Sequence, residues 1–257
     1  MSRLRKRDRQ EQILLALRHH PHVRTSDLAA QFGVSTETVR RDVNALSHEG
    51  LIQRAYGGAA AKPMGAQPPF GERDRARTEE RARIGRSAAE IVRPGEVLAI
   101  DAGSTTHQLA LSLAAIGKEL TVLTNSLAVA TALGRNDTIH VVMCPGDFMS
   151  EEAGVYGPET LDFLSRYNAN RAFIGCSGVS TKGVTDANLA AVAVKRAMIR
   201  QSRETCLLVD HSKFGVELVA TVEPLSALNG LVTDRPPPMQ LQEALQRSGA
   251  TIRIAGR

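Results

Sequence analysis

Leu28-Ala29-Ala30-Gln31-Phe32-Gly33-Val34-Ser35-Thr36-Glu37-Thr38-Val39-Arg40-Arg41-Asp42-Val43 is the stretch that decides how this chain is read. Leu28, Ala29 and Phe32 make the inward face of a short helix, and Gly33 permits a tight turn. Ser35 then opens a second helix, in which Val39, Val43 and Leu46 recur at the i, i+4, i+7 positions of a buried stripe. The rest of that helix surface is polar: Thr36, Glu37, Thr38, Arg40, Arg41 and Asn44. A helix with small polar residues and paired arginines near its start suits the major groove of DNA, its first turns toward the base edges. Neighbouring residues lie about 100° apart around a helix, so Arg40 and Arg41 divide between a base edge and a phosphate.

Working outward, the spacing of Ile13, Leu14 and Leu17 predicts a first helix over 8–18, ended by Pro21. Thr25 or Ser26 is expected to cap the second helix. Gly50 is expected to end the third; residues 51–55 then read as a strand and Tyr56-Gly57-Gly58-Ala59 as a hairpin turn. Three helices and a hairpin make a winged helix-turn-helix domain over residues 1–58. Its DNA contacts are assigned to Thr25, Ser35, Thr36, Glu37, Thr38, Arg40, Arg41 and Asn44, with Arg54, Tyr56, Gly57 and Gly58 of the wing on the backbone or minor groove. The bland alternative is a small helical domain used only for protein contact.

Charge agrees with the DNA reading. Residues 1–54 hold ten Lys/Arg against six Asp/Glu, leaving 22 against 21 in the remainder. Aromatics are 4% with no Trp, so the core must come from Ala, Val, Leu and Ile. The chain has no apolar run of the roughly 18–20 residues that span a bilayer, and its basic start leads into charged sequence rather than a signal core. A cytoplasmic protein without membrane partners is therefore expected. Cys144, Cys176 and Cys206 are odd in number and flanked by apolar residues, which favours buried free thiols over a disulfide or metal site; no metal and no cofactor are expected.

Residues 59–80 contain Pro63, Gly65, Pro68, Pro69 and Gly71 and read as a semi-rigid linker, with a charged helix near 73–92. Beyond it, residues 81–257 read as an α/β domain. Short apolar runs at 97–100, 120–123, 140–143, 172–174, 206–209, 231–232 and 252–254 suit a mainly parallel sheet covered on both faces. Most end in a small polar cluster, and ligands of such sheets bind beyond the carboxyl ends of the strands. Gly103-Ser104-Thr105-Thr106 places backbone N–H groups and hydroxyls at a helix start, suited to an oxyanion, although plain N-capping uses the same residues. Thr124-Asn125-Ser126 offers donors and acceptors for sugar hydroxyls, and Lys213 a cation for a phosphate. Asp101, Asp210 and Asp234 either bind hydroxyls or cap helices, His211 reads as a loop histidine, and Lys182-Gly183 as a mobile flap.

Arg9, Ile13, Leu17, Ser35-x-x-Thr38-Val39-Arg40-Arg41-Asp42-Val43 and Arg54-x-Tyr56-Gly57-Gly58 together resemble the DeoR family of bacterial transcriptional regulators. Asp101-x-Gly103-Ser104-Thr105-Thr106, Thr124-Asn125-Ser126-Leu127, Phe173-Ile174-Gly175, Val194-Lys195-Arg196-Ala197-Met198, Asp210-His211-Ser212-Lys213-Phe214 and Thr233-Asp234 extend the resemblance along the second half. The resemblance implies an effector domain similar to sugar-phosphate isomerases, repression of a sugar or polyol operon, and control by a phosphorylated sugar or polyol. It implies effector contacts from Asp101, Gly103, Ser104, Thr105, Thr106, Thr124, Asn125, Ser126, Gly175 and Lys213; Gly146 and Lys182 join them as loop candidates. This chain departs from the family in two places. Pro145-Gly146 stands where members often have Gly-Gly, and the segment Asn188-Leu189-Ala190-Ala191-Val192 lacks a common glutamate.

Two functions compete on these residues. One is a ligand-controlled repressor binding double-stranded operator DNA as a homo-oligomer, a dimer or tetramer, because one small domain makes few base contacts. The other is a sugar-phosphate isomerase-like enzyme carrying an appended DNA-binding domain, which fold alone permits. No spacing in the chain specifies a catalytic carboxylate, so the first is preferred.

Overall fold

The computed structural model describes residues 4–48, 52–60 and 67–256. The chain divides into two units, residues 1–66 and 67–257.

In the first unit α1 (Lys6–His19), β1 (His22–Arg24), α2 (Thr25–Phe32), α3 (Thr36–His48), β2 (Gln53–Ala55) and β3 (Gly58–Ala60) follow in order. Ile13, Leu17, Leu28, Phe32, Val39, Val43, Leu46 and Ile52 close into one core, as their helical spacing requires. Gly33 ends α2 in the left-handed region at φ 62°, and the Ser35 hydroxyl accepts the Thr38 N–H at 3.2 Å. That cap is worth about 1 kcal/mol. The strands form an antiparallel sheet in the order β1-β3-β2. The unit is thus a winged helix-turn-helix with one strand more than the sequence suggested. His22-Val23-Arg24 is too short and polar to signal a strand, and is one only because β3 pairs with it. Gly50 and Leu51, the expected helix stop and strand start, lie outside the described residues.

Two expectations change here. Thr25 does not cap α2 but is its first residue; Arg24 holds the cap position and offers no side-chain bond. The stretch 59–80 is not a tether throughout, since β3 runs to residue 60 and α4 (Phe70–Arg75) and α5 (Thr78–Glu90) follow. The single helix expected over 73–92 is broken at Arg77, which adopts φ 53°.

The second unit continues with β4 (Val97–Ile100), α6 (Ser104–Ile116), β5 (Leu120–Thr124), α7 (Leu127–Leu133), β6 (Ile139–Met143), β7 (Asp147–Met149), β8 (Gly154–Tyr156) and α8 (Pro158–Ser165). Then come β9 (Ala169–Ile174), β10 (Gly178–Ser180), β11 (Gly183–Asp186), α9 (Leu189–Arg200), β12 (Ser202–Val209), β13 (Ala220–Glu223), β14 (Gly230–Thr233), α10 (Met239–Arg247) and β15 (Thr251–Ile254). The seven apolar runs read from sequence are the seven strands of a parallel sheet in the order β15-β14-β12-β9-β4-β5-β6. Both faces are covered, so alternate residues of one strand enter different cores. Cys206 and Leu208 of β12 share one core with Ile84 of α5, Leu109 of α6 and Val129 of α7. Leu207 and Val209 meet α8, α9 and α10 through Leu164, Met198 and Leu245. Two antiparallel additions lie outside this sheet, the β7-β8 hairpin and the sheet β10-β11-β13.

The chain enters the main sheet at β4, builds outward through β5 and β6, then returns to β9 on the other side of β4. The strand order therefore reverses between β4 and β9, and this is where such sheets open a crevice for ligands.

Candidate functional site

On the winged helix, α3 turns Thr36, Glu37, Arg40, Arg41 and Asn44 to solvent, with Thr38 half-buried. Arg40 and Arg41 are 68% and 79% exposed and share Glu37 as an ion partner at 3.9 and 3.4 Å. Such exposed pairs are weak and yield readily to a phosphate. Tyr56 stands fully exposed at the wing tip beside exposed Arg54 and Gly57, the latter at φ 71°. Two of the expected contacts are placed otherwise. Thr25 is buried, its N–H bonded to the Gly57 carbonyl at 2.9 Å. Gly58 is buried in the sheet, where a Cβ would lie 2.0 Å from the Val23 carbonyl oxygen. Its glycine serves the β1-β3 pairing, not a ligand. Asp42, beside the two arginines in sequence, points inward and binds Arg9 Nε at 2.8 Å.

In the second unit a cavity opens at the β4/β9 reversal. Gly103, Ser104 and Thr105 at the start of α6, Gly175, Cys176 and Ser177 after β9, and Asp210 and Lys213 after β12 line it. So do Gln67, Arg73, Arg81, Glu152, Asp186, Ala191 and Lys195. Gly103 gives α6 no side-chain cap, so its first N–H groups are left without one where Gly103, Ser104 and Thr105 line the cavity. Ser104 and Thr105 are buried residues, and among the described residues their hydroxyls bond to no protein group.

Charge in the cavity is dense and matched. Lys195 Nζ is 2.7 Å from Asp101 and 3.4 Å from Asp186. Burial opposes its charge, but the two carboxylates outweigh that and hold its pKa above the ordinary lysine value. Asp101 also accepts the Gly175 N–H at 3.1 Å, and Asp186 accepts the Ser177 hydroxyl at 2.8 Å. Arg73 pairs with Glu152, and Arg81 with Asp210 at 3.1 Å. Burial raises the Asp210 pKa, yet Arg81, the Ser212 hydroxyl, Lys213 and Arg77 bring it below the usual carboxylate value. Burial pushes the Cys176 thiol up to about 12, so it is no nucleophile at neutral pH. Among the described residues the buried Tyr156 hydroxyl has no hydrogen-bond partner, and it lies close enough to feel Lys195 and Glu152.

Of the residues expected at the effector, Gly103, Ser104, Thr105, Gly175 and Lys213 line the cavity, and Asp101 stands behind it on Lys195. The others are elsewhere. Thr106 bonds back to the Asp101 and Gly103 carbonyls. Thr124 donates to the Ile100 carbonyl, Asn125 clamps Ala102 and Val155, and Ser126 caps α7 through the Val129 N–H. They end β5, one strand removed from the reversal, and their hydrogen bonds are spent on the fold. Gly146 is pressed against Tyr156 and Thr160, where a Cβ would lie 2.3 Å from the Thr160 hydroxyl. Lys182 is 77% exposed and paired with Glu217 at 2.9 Å. Nor is Gly183 in a flap, since it sits in paired β11 against the Glu223 carbonyl. His211 is tied to Asp234 at 2.7 Å.

Gln67, Arg73, Arg81, Glu152, Ser177, Asp186 and Lys195 were missed from sequence. Lys195 alone carried a legible signal: it shares the buried stripe of α9 with Ala191 and Met198, where an unpaired charge is too costly to persist. Within the segment Asn188-Leu189-Ala190-Ala191-Val192, which lacks the family's glutamate, Ala191 is the residue at the cavity.

Comparison with known proteins bears on both units. Residues 9–63 match the DeoR-like helix-turn-helix domain and residues 76–235 the DeoR C terminal sensor domain. The chain belongs to the DeoR family. This DeoR-family DNA-binding regulator is 33% identical over 243 residues to the glycerol-3-phosphate regulon repressor of Escherichia coli, covering 94% of this chain and 96% of that protein. It is 31% identical over 237 residues to the HTH-type transcriptional regulator IolR of Bacillus subtilis, covering 92% of each. Among solved structures, ribose 5-phosphate isomerase A from Neisseria gonorrhoeae is similar at a TM-score of 0.39 and 22% identity over 53% of both chains. Likeness at that level reaches neither ligand nor activity. No helix among the described residues is long and apolar enough to cross a membrane.

Proposed function

We propose that this regulator is a repressor of a sugar or polyol operon, released from double-stranded operator DNA by a phosphorylated polyol or sugar bound in the β4/β9 cavity. The observation that carries the reading is the uncapped start of α6 opening onto the same cavity as the unbonded Ser104 and Thr105 hydroxyls and Lys213. Backbone N–H groups at a helix start, two hydroxyls and a lysine are what a phosphate monoester needs. The opposite wall, Ser177, Asp186 and Glu152, offers acceptors for the hydroxyls of a polyol. The name of the Escherichia coli relative points to the same chemistry.

Operator contact falls to Ser35, Thr36, Glu37, Thr38, Arg40, Arg41 and Asn44, with Arg54, Tyr56 and Gly57 on the flanking backbone. A dimer or tetramer would present paired α3 helices to successive major grooves. The reading as an isomerase is weaker on this geometry. Asp101, Glu152, Asp186 and Asp210 each face a buried lysine or arginine, so none stands as a ready base.

Calorimetric titration of the full chain with glycerol 3-phosphate and a panel of sugar phosphates tests the proposal, with Lys213→Ala as the comparison. A phosphate ester should bind, the non-phosphorylated parent should not, and Lys213→Ala should weaken the ester about tenfold while leaving DNA affinity intact. Equal binding of the parent polyol would remove the phosphate site.

A further inference from the structure

The cavity is lined for a ligand yet nearly full. Its open space is about 30 Å³, enough for one or two water molecules, whereas pockets that take small ligands start at roughly 300 Å³. Part of the space is taken up by one side chain, Gln67, the first residue of the second unit. With its amide nitrogen 3.3 Å from Asp186 Oδ1 and its oxygen 3.2 Å from Arg73 Nε, the carboxamide meets an acceptor and a donor at once. Ser177 Oγ is its third partner. Ser177 and Asp186 are two of the three groups assigned above to a ligand's hydroxyls.

We infer that Gln67 is a resident stand-in for the effector, and that ligand entry expels it and loosens the segment 67–77, through which the cavity is coupled to the DNA-binding unit. The inference rests on the reading of the cavity as the effector site. Three observations support it. The Gln67 carboxamide is held by polar contacts, the kind a ligand rich in hydroxyls replaces one for one. The segment that follows is fastened in part to groups that line the cavity, Arg73 to Glu152, the Arg73 carbonyl to Arg81 and Arg77 to Asp210 at 3.9 Å, besides the Phe70 N–H to the Glu151 carbonyl at 2.6 Å and Asp74 to His107 at 2.9 Å. Pro68 and Pro69 link Gln67 to those fastenings, and two fixed φ angles pass a displacement on instead of absorbing it. On its other side Gln67 follows directly on residue 66, the end of the winged-helix unit. Arg81, Lys195 and Lys213 come from α5, α9 and the segment after β12, and stay in place to hold the ligand.

A site occupied by its own chain binds ligand with an affinity reduced by the fraction of open molecules. Gln67→Ala removes the occupant and should tighten binding of glycerol 3-phosphate about tenfold, with the thermal midpoint of the apo protein little changed. Hydrogen exchange read by mass spectrometry on the full chain gives the independent measurement, with glycerol 3-phosphate and inorganic phosphate as probes. In the wild type, ligand should slow exchange in 101–106 and 208–213 and speed it in 70–77. Slowed exchange in all three segments, with Gln67→Ala binding no tighter, overturns the inference and leaves the effector site standing. No change in any segment with either probe, in wild type and Gln67→Ala alike, overturns the reading of the cavity and the inference with it.

Discussion

Asp42→Ala separates the two units energetically. Arg9 and Asp42 meet at 2.8 Å with side chains only 10% and 3% exposed, and the second partner of Arg9 is the Leu4 carbonyl at 2.7 Å. Removing the carboxylate strands a guanidinium in the core between α1 and α3, at a cost of roughly 3–5 kcal/mol. The winged-helix unit has 66 residues, which at ~0.05–0.15 kcal/mol per residue gives it roughly 3–10 kcal/mol in all. The substitution therefore removes between about a third of its stability and all of it. At ~1.4 kcal/mol per tenfold change, hydrogen exchange of the amides around Val39 and Leu46 should rise by roughly 10²- to 10⁴-fold. Amides of β4, β9 and β12 in the same sample should not respond. Operator affinity should fall although Asp42 reaches no DNA, and Arg9→Met with Asp42→Leu should restore most of the lost protection. A rise in exchange below tenfold in Asp42→Ala would show the pair to be worth no more than a surface bridge, and the reasoning would fail.

Arg40→Ala and Arg41→Ala should each abolish or sharply weaken operator binding in a salt-titrated mobility assay, the phosphate-binding one of the two lowering the salt slope by about one. Ligand affinity should be unchanged in both, and its parallel loss would mark a folding defect instead. Gly58→Ala should destabilise the winged helix more than Gly57→Ala does, measured by urea unfolding. The first drives a methyl into the Val23 carbonyl, while the second meets open space and carries only the ~1–2 kcal/mol of a left-handed residue. Asp210 has a depressed pKa in the folded protein, so its contribution is present above the unfolded value near ~3.9 and is lost as pH falls through the folded one. Asp210→Asn should accordingly lose less stability between pH 7 and pH 3 than wild type, and an equal loss would place the acid-sensitive carboxylate elsewhere.

The parts that could be read without coordinates are those whose physics is local. The stripe Val39, Val43, Leu46 names its own buried face, Gly33 its own turn and Ser35 its own cap, because a helix brings together residues three and four apart. The seven apolar runs announce a parallel sheet in the same way, each long enough for one buried strand. What local pattern could not rank was the polar clusters at the strand ends. Thr124-Asn125-Ser126 and Gly103-Ser104-Thr105 look alike as sequence, and only the return of β9 beside β4 makes the second a cavity wall and leaves the first a set of structural bonds.

Two further features of the site depend wholly on contacts distant along the chain. Gln67 and Ser177 are 110 residues apart, and Arg81 reaches Asp210 across 129. Amino-acid order was sufficient for the strands of the main sheet and for the exposed polar face of α3, since backbone geometry and burial act over a few residues. Which charges share a cavity, and which carboxylate each cation neutralises, was left to the packing of the sheet. Electrostatic pairing follows distance in space, and in this fold that distance is set by the order of the strands.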